Sequence, residues 1–302
     1  MPKRIIIPPI KSQGIKTKLV PWIGSIVPKD TKRWIEPFFG TGVVGFNLAV
    51  QNAIFSDTNP HVIKFYSDIK EGRITPESVR QFLEVEGERL RSSAEDGYEH
   101  YKFIKHRFND TYGSLDFLFL SRAGFNGMMR FNKKGEWNLP FCKKPNRFSK
   151  AYITKIVNQV ADVSKVMEKK EWIFLHSNFK NTIAFAKKGD IIYCDPPYSG
   201  RYVDYYNGWD DEDEEELYNS LKNTKAKFIL STWHHNDYRS NLMIDKYWSE
   251  FNIITRDHFY HSGAKIENRQ SIVEALVFNY EVNIKKHNSD QSEKPEQFAL
   301  GY

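Results

Sequence analysis

Residues 190–198 read Asp190-Ile191-Ile192-Tyr193-Cys194-Asp195-Pro196-Pro197-Tyr198. The apolar run from Ile191 to Cys194 has the length and character of a strand buried on both faces. Asp195 closes the run, at the rim where open α/β sheets place their ligands. Two prolines can extend neither a ladder nor a helix, so the chain leaves the strand in a fixed direction. Tyr198 then offers a flat aromatic face beside a carboxylate. A rigid acceptor next to a stacking surface suits a planar substrate that carries an NH2 group, such as a nucleobase. An ordinary strand followed by a Pro-Pro turn is the plainer reading, and the rest of the chain has to decide.

Upstream, Trp34-Ile35-Glu36-Pro37-Phe38-Phe39-Gly40-Thr41-Gly42 followed by Val43-Val44-Gly45-Phe46-Asn47-Leu48 reads as strand, glycine turn and helix. Glycines at 40 and 42 let backbone approach a ligand closely, and the helix start supplies free N–H groups. The third glycine of a dinucleotide fingerprint is missing, so a pyrophosphate ligand is not indicated. A second strand, Ala53-Ile54-Phe55-Ser56, ends at Asp57. One strand after a glycine turn, that carboxylate is placed to accept hydrogen bonds from ribose hydroxyls; capping the helix that starts near Pro60 is its competing role. Before both strands, Lys11, Lys16 and Lys18 crowd the start of a helix running through Trp22 to Ile26. Cations are disfavoured at that dipole end unless solvated or holding a carboxylate or phosphate.

Residues 62–112 are expected to be helical, with a start at Thr75-Pro76. From Ser121 to Phe141 the character changes to Gly, Asn, Met and aromatics, and between Arg122 and Lys150 eight Lys or Arg face one acid, Glu136. Arg and Asn read base edges, and Phe or Met can wedge into a base stack. The same stretch fits an exposed basic β-hairpin turning at Lys133-Lys134-Gly135, and the two readings are compatible. Ile153, Ile156, Val160, Val163 and Met167 mark a helix packing on the sheet. Further strands are expected at 172–175, 227–231, 252–255 and 272–278. Asp210 to Glu216 is seven consecutive acids, read as the solvated first turn of a helix carrying Leu217 and Leu221. His234 and His235 follow a strand and receive no role.

The chain has 302 residues, enough for one large catalytic domain with an insertion or for two domains. Its net charge of +6 leans towards a polyanionic partner. Only Cys142 and Cys194 are present, without metal-ligand spacing, so neither a disulfide framework nor a metal is expected. No apolar run suits a signal peptide or a membrane span, and cytoplasmic localisation without membrane association is the expectation. From residue 283 the sequence turns polar, consistent with a tail at 283–302.

Taken together and in this order, the motifs resemble the α-group of N6-adenine DNA methyltransferases, the family of the GATC-methylating enzymes. The resemblance runs from about Pro8 to Tyr280 and rests on Lys11 to Lys16, Glu36 to Gly42, Asp57, the 121–141 stretch and Tyr193 to Tyr198. It implies an α/β fold: a Rossmann-like S-adenosylmethionine-dependent methyltransferase sheet with its last strand antiparallel, and an inserted, mainly helical DNA-recognition domain bearing a β-hairpin. The catalytic domain is expected at 1–61 and 150–282, with target recognition at 62–149.

By the same resemblance, Phe38 and the Gly40/Gly42 turn pack against S-adenosylmethionine, Asp57 binds its ribose, and Lys16 with the backbone near Ser12 flanks its methionine end, leaving S-adenosylhomocysteine as product. The family's usual Lys-Trp-x-Gly-Gly-Lys reads Lys11-Ser12-Gln13-Gly14-Ile15-Lys16 here, so no indole face is available at Ser12. The target adenine of double-stranded DNA is flipped out, at a cost of roughly a few kcal/mol. Tyr198 then stacks on it, while the Asp195 carboxylate and the Pro196 carbonyl accept its N6 hydrogens; Pro197 completes the motif. Asp rather than Ser at 195 favours adenine over cytosine N4. For recognition the resemblance carries over Phe125, Asn126, Met128, Arg130 and Pro140, with Lys11 as a further base contact. It implies a sequence-specific modification enzyme of bacterial or phage type, with a cognate restriction endonuclease as candidate partner. An RNA base methyltransferase and a non-catalytic DNA-binding relative stay open as alternatives.

Overall fold

Strands that alternate with helices build one seven-stranded mixed sheet in the computed structural model, which describes residues 4–12, 14–198, 209–259 and 271–282. The expected polar tail at 283–302 lies outside the described residues. The strands are β1 (Arg33–Glu36), β2 (Asn52–Asp57), β3 (Glu171–His176), β4 (Asp190–Cys194), β5 (Lys227–His235), β6 (Asn252–Phe259) and β7 (Ser271–Phe278), in the order β3-β2-β1-β4-β5-β7-β6. β1 to β5 pair in parallel, and β7 runs antiparallel between β5 and β6.

Helices cover both faces, which is why β4 is apolar along its whole interior and buried throughout. On one face Trp34, Ile191, Tyr193, Ile229 and Leu276 meet α1 (Val20–Ile26), α2 (Val43–Leu48), α3 (Pro60–Lys70) and α7 (Lys150–Met167). On the other, Ile35, Ile192, Cys194, Leu230, Ala275 and Val277 meet α8 (Phe179–Ile183) and α9 (Asp211–Lys222). The order of strand addition reverses between the parallel neighbours β1 and β4, so the loops after these strands open a crevice at a topological switch point.

Between α3 and α7 the chain adds α4 (Pro76–Ser92), α5 (Tyr98–Thr111) and α6 (Ser114–Ala123) before the basic stretch. Thr75 caps α4 in a capping box with Ser78, as the Thr-Pro start suggests. The expected β-hairpin is reduced to two isolated bridges, Gly124 with Phe141 and Phe131 with Trp137. Left-handed backbone at Asn126, Gly127 and Gly135 interrupts any longer ladder. What fixes the loop is its contacts with the helices. Trp137 is buried, its indole N–H donates to the Tyr101 hydroxyl at 3.0 Å, and that hydroxyl donates to the Leu139 carbonyl at 2.8 Å. Phe131 stacks on His61 of α3 at 5.1 Å, with Tyr112 at 5.1 Å as the second stacked ring. Burial pushes His61 down to about 4, so at neutral pH it sits there as an uncharged aromatic.

Candidate active site and DNA-facing loop

The sequence-selected groups gather where β1, β2 and β4 end. After β1, Gly40 and Gly42 both adopt left-handed φ, +51° and +79°. A Cβ on Gly40 would meet nothing within 4 Å, whereas one on Gly42 would strike the rings of Phe39 and Phe46. Gly40 therefore presents backbone to open space, and Gly42 is required for the turn to close.

Asp57 ends β2 and ties the two loops together. Its Oδ2 accepts from the Gly40 N–H at 2.8 Å and its Oδ1 from the Asn59 N–H at 2.8 Å. Asn59, not Asp57, caps α3, through its side chain to the His61 N–H. Burial raises the Asp57 carboxyl above its usual range, against the pull of those two amides. Phe38 stacks on Phe179 at 5.4 Å and meets Trp209 edge-on at 5.5 Å. Phe179 and Trp209 thus join the site rim, although neither was selected as a site residue from sequence.

Lys16 is 4% exposed and lies just before α1. Its ammonium sits 2.9 Å from Asp195 Oδ1 and 4.8 Å from the centre of the Tyr198 ring. Of the crowded lysines before α1, Lys16 thus holds a carboxylate, one of the two ligands their position suggested. Burial raises the Asp195 carboxyl, the Lys16 ion pair and hydrogen bond work against it, and the Glu274 carboxylate adds to the rise. Glu36, 1% exposed, accepts from the Trp34 indole at 2.8 Å, and burial drives its carboxyl well above the usual range. The same effect raises the thiol of Cys194 well above its normal value, which disfavours a nucleophilic thiolate.

The DNA-facing candidates lie on the basic loop. Phe125, Asn126, Arg130 and Pro140 are exposed, and Met128 is partly buried against the core. The Pro140 carbonyl accepts from Phe125 N–H at 2.9 Å and the Arg130 carbonyl from Asn138 N–H at 2.8 Å, which hold the two arms together. Lys11 packs along Gly127, and its N–H donates to Ser121 Oγ at 2.9 Å. Lys11, Ser12 and Lys16 therefore form a short bridge: Lys11 touches the basic loop and Lys16 touches Asp195. Ser12 is half-buried between them.

Two acidic groups were missed. Glu274 of β7 is fully buried and accepts from the Tyr198 hydroxyl at 2.8 Å. Glu214, inside the acidic run, is buried and accepts from the Trp209 and Trp248 indoles, at 2.8 Å each. Its spacing to Leu217 and Leu221 (i, i+3, i+7) marks the apolar face of α9 and could have separated it from its solvated neighbours. Asp210 caps that helix. Among the described residues no group of three or more His, Cys, Asp or Glu is arranged to hold a metal, and no helix is long and apolar enough to cross a membrane.

The sequence matches the D12 class N6 adenine-specific DNA methyltransferase family over residues 12–262. The Type II methyltransferase M1.LlaDCHI of Lactococcus lactis subsp. cremoris is 26% identical over 288 residues, covering 89% of this chain and 94% of that protein. The Type II methyltransferase M.FokI of Planomicrobium okeanokoites is 28% identical over 284 residues, covering 90% of this chain but 42% of that protein. A DNA adenine methylase of Vibrio cholerae serotype O1 is 31% identical over 196 residues, covering 63% of this chain and 64% of that protein. Among solved structures, the rRNA methyltransferase aviRa from Streptomyces viridochromogenes superimposes over 86% of this chain and 81% of its own at 8% identity, with a TM-score of 0.34, too loose to add to the fold read from the sheet. The family match spans most of the chain and takes in the glycine turn, Asp57, the basic loop and Asp195 to Tyr198, so the chain belongs to the D12 class of N6 adenine-specific DNA methyltransferases, which are S-adenosylmethionine-dependent enzymes.

Proposed function

We propose that this protein methylates N6 of an adenine within a fixed sequence of double-stranded DNA, with Asp195, Pro196 and Tyr198 at the reacting centre. The observation that carries the reading is the Lys16–Asp195–Tyr198 cluster beside an open glycine turn, joined by five residues of chain to the basic loop at Lys11. The residues present fit S-adenosylmethionine. Gly40 leaves room for a ligand against its backbone, Phe38 supplies an aromatic wall, and Asp57 brings a carboxylate to the same rim. Lys16 and the backbone at Ser12 would flank its methionine end. When bound, the cofactor supplies an electrophilic methyl group on sulfur.

The rest of the chemistry belongs to this chain's own residues. Asp195 Oδ1 is engaged by Lys16, so Oδ2 and the Pro196 carbonyl are the acceptors for the two N6 hydrogens. Accepting both hydrogens turns the nitrogen lone pair out of the base plane, towards the methyl group. Tyr198 stacks on the flipped base and holds it in that orientation, and Pro197 stiffens the backbone between them. Catalysis then consists of orientation and preorganised electrostatics. The 62–149 segment serves as the target-recognition domain, with Phe125, Asn126, Met128, Arg130, Pro140 and Lys11 towards DNA. Relatives named Type II methyltransferases support a modification role beside a restriction endonuclease. The test is to incubate duplex DNA with protein and S-adenosylmethionine and map the product. N6-methyladenine confined to one sequence context supports the reading, and its absence, or label entering structured RNA alone, overturns it.

A further inference from the structure

We propose that Glu274 is a positioning residue for the methyl transfer, which it serves by pinning the hydroxyl of Tyr198 so that the aromatic face is set before a base arrives. The proposal rests on the reading of Tyr198 as the surface on which the flipped adenine stacks. Glu274 sits in the middle of β7, opposite Trp233 of β5 and Arg256 of β6. Its side chain is 0% exposed. Leu276 and Phe278, which share its face of the strand, belong to the apolar core. Packing alone would put another hydrophobe at this position, because an acid there must be desolvated and then satisfied by hydrogen bonds. An acid at such a position answers a specific polar demand.

The demand is visible across the site. Glu274 Oε2 lies 2.8 Å from the Tyr198 hydroxyl, which reaches it from 76 residues away in the chain. The Lys16 ammonium lies 4.8 Å from the centre of the same ring and 2.9 Å from Asp195 Oδ1. Glu274, Tyr198, Lys16 and Asp195 therefore form one connected chain of contacts. Two of them define the ring: the hydroxyl is fixed at its edge by Glu274, and one face is covered by Lys16. A base then takes the opposite face. A carboxylate accepting from the phenol also enriches the ring in electron density, which strengthens its attraction for the Lys16 cation. Asp195, the group that orients N6, is thereby held in register with the surface that orients the ring of the base.

Five variants test this by kcat and KM for duplex DNA, together with the fluorescence of 2-aminopurine at the target position as a probe of base stacking. Glu274→Leu removes the acceptor, and Tyr198→Phe removes the donor while keeping the ring and the sheet. Each is expected to lower kcat by about 10- to 100-fold, the scale of a misoriented reacting group, with KM for DNA little changed and the 2-aminopurine signal altered. Glu274→Gln keeps a carbonyl acceptor and is expected to recover to within about threefold of wild type. In the double variant the two losses should not multiply, because both remove one contact. Full kcat in Tyr198→Phe, multiplied losses in the double variant, or a Gln variant as poor as the Leu variant would each overturn the proposal; Tyr198→Phe decides if Glu274→Leu does not fold. Tyr198→Ala separates the two claims. If it is fully active, the stacking reading itself fails; if it is inactive while Tyr198→Phe is fully active, only the role of Glu274 fails.

Discussion

Replacing Lys16 with methionine removes a buried cation while roughly keeping the length and bulk of the side chain. The ammonium lies 2.9 Å from Asp195 Oδ1, a separation at which unit charges attract by about 6 kcal/mol at an effective dielectric of about 20. Part of that attraction offsets desolvation, and breaking one side of a fully buried pair costs about 3–5 kcal/mol, an upper bound here because the Asp195 side chain is 21% exposed. Against the usual 5–15 kcal/mol for a domain, that is a large loss at neutral pH. The pH dependence follows from Asp195. Its carboxyl is already raised by burial and held back by Lys16, so without the lysine it rises further. Above that raised value the variant buries an uncompensated carboxylate, and its deficit relative to wild type is full. As pH falls through it, the carboxyl takes up a proton, the missing cation has nothing left to neutralise, and the deficit shrinks. Urea unfolding at about pH 8 and about pH 5 reads this difference. In parallel, on the proposed role of Asp195, the acid limb of kcat/KM should move to higher pH, because the ionised carboxylate is the stronger acceptor. An equal deficit at both pH values, with an unmoved acid limb, would refute the coupling.

Two further predictions concern binding. Asp57→Ala removes the acceptor for the Gly40 and Asn59 amides; calorimetric affinity for S-adenosylmethionine should fall at least about tenfold, the order of one charge-assisted hydrogen bond, and unchanged affinity would remove Asp57 from the cofactor site. Arg130→Ala should cost about 1–3 kcal/mol at a single base position when binding is compared across substituted duplexes. A uniform loss across sequences would make Arg130 a phosphate contact instead.

Much of the fold was legible because its central strands are apolar runs ending in residues that cannot continue them: Asp195-Pro196-Pro197 after β4, and the glycine turn after β1. β5 extends further than its apolar run, to His235, because paired backbone carries Trp233, His234 and His235 past the point where composition reads as strand, with a register shift between Trp233 and His235. The basic loop read as a hairpin from its turn residues, yet its glycines limit pairing to two bridges, and its shape is set by Trp137 and Phe131 docking on helices. The lysine crowding before α1 hinted at an anion, but the partner of Lys16 lies 179 residues away, and no local pattern encodes such a pairing. Glu274 was invisible for a related reason. Within Ser-Ile-Val-Glu-Ala-Leu-Val-Phe it interrupts the apolar face it shares with Ile272, Leu276 and Phe278, and its hydrogen-bond partner, the Tyr198 hydroxyl, lies 76 residues away.

The account's central claim is that Asp195 orients an extruded adenine rather than holding DNA. Its most direct test is methyl transfer from labelled S-adenosylmethionine to N6 of adenine in duplex DNA, measured beside DNA affinity for wild type and Asp195→Ala. The account predicts N6-methyladenine from the wild type, and from the variant a loss of transfer of at least about 100-fold with affinity changed by less than about threefold. Transfer that survives in Asp195→Ala, or is lost only in proportion to DNA binding, would contradict it.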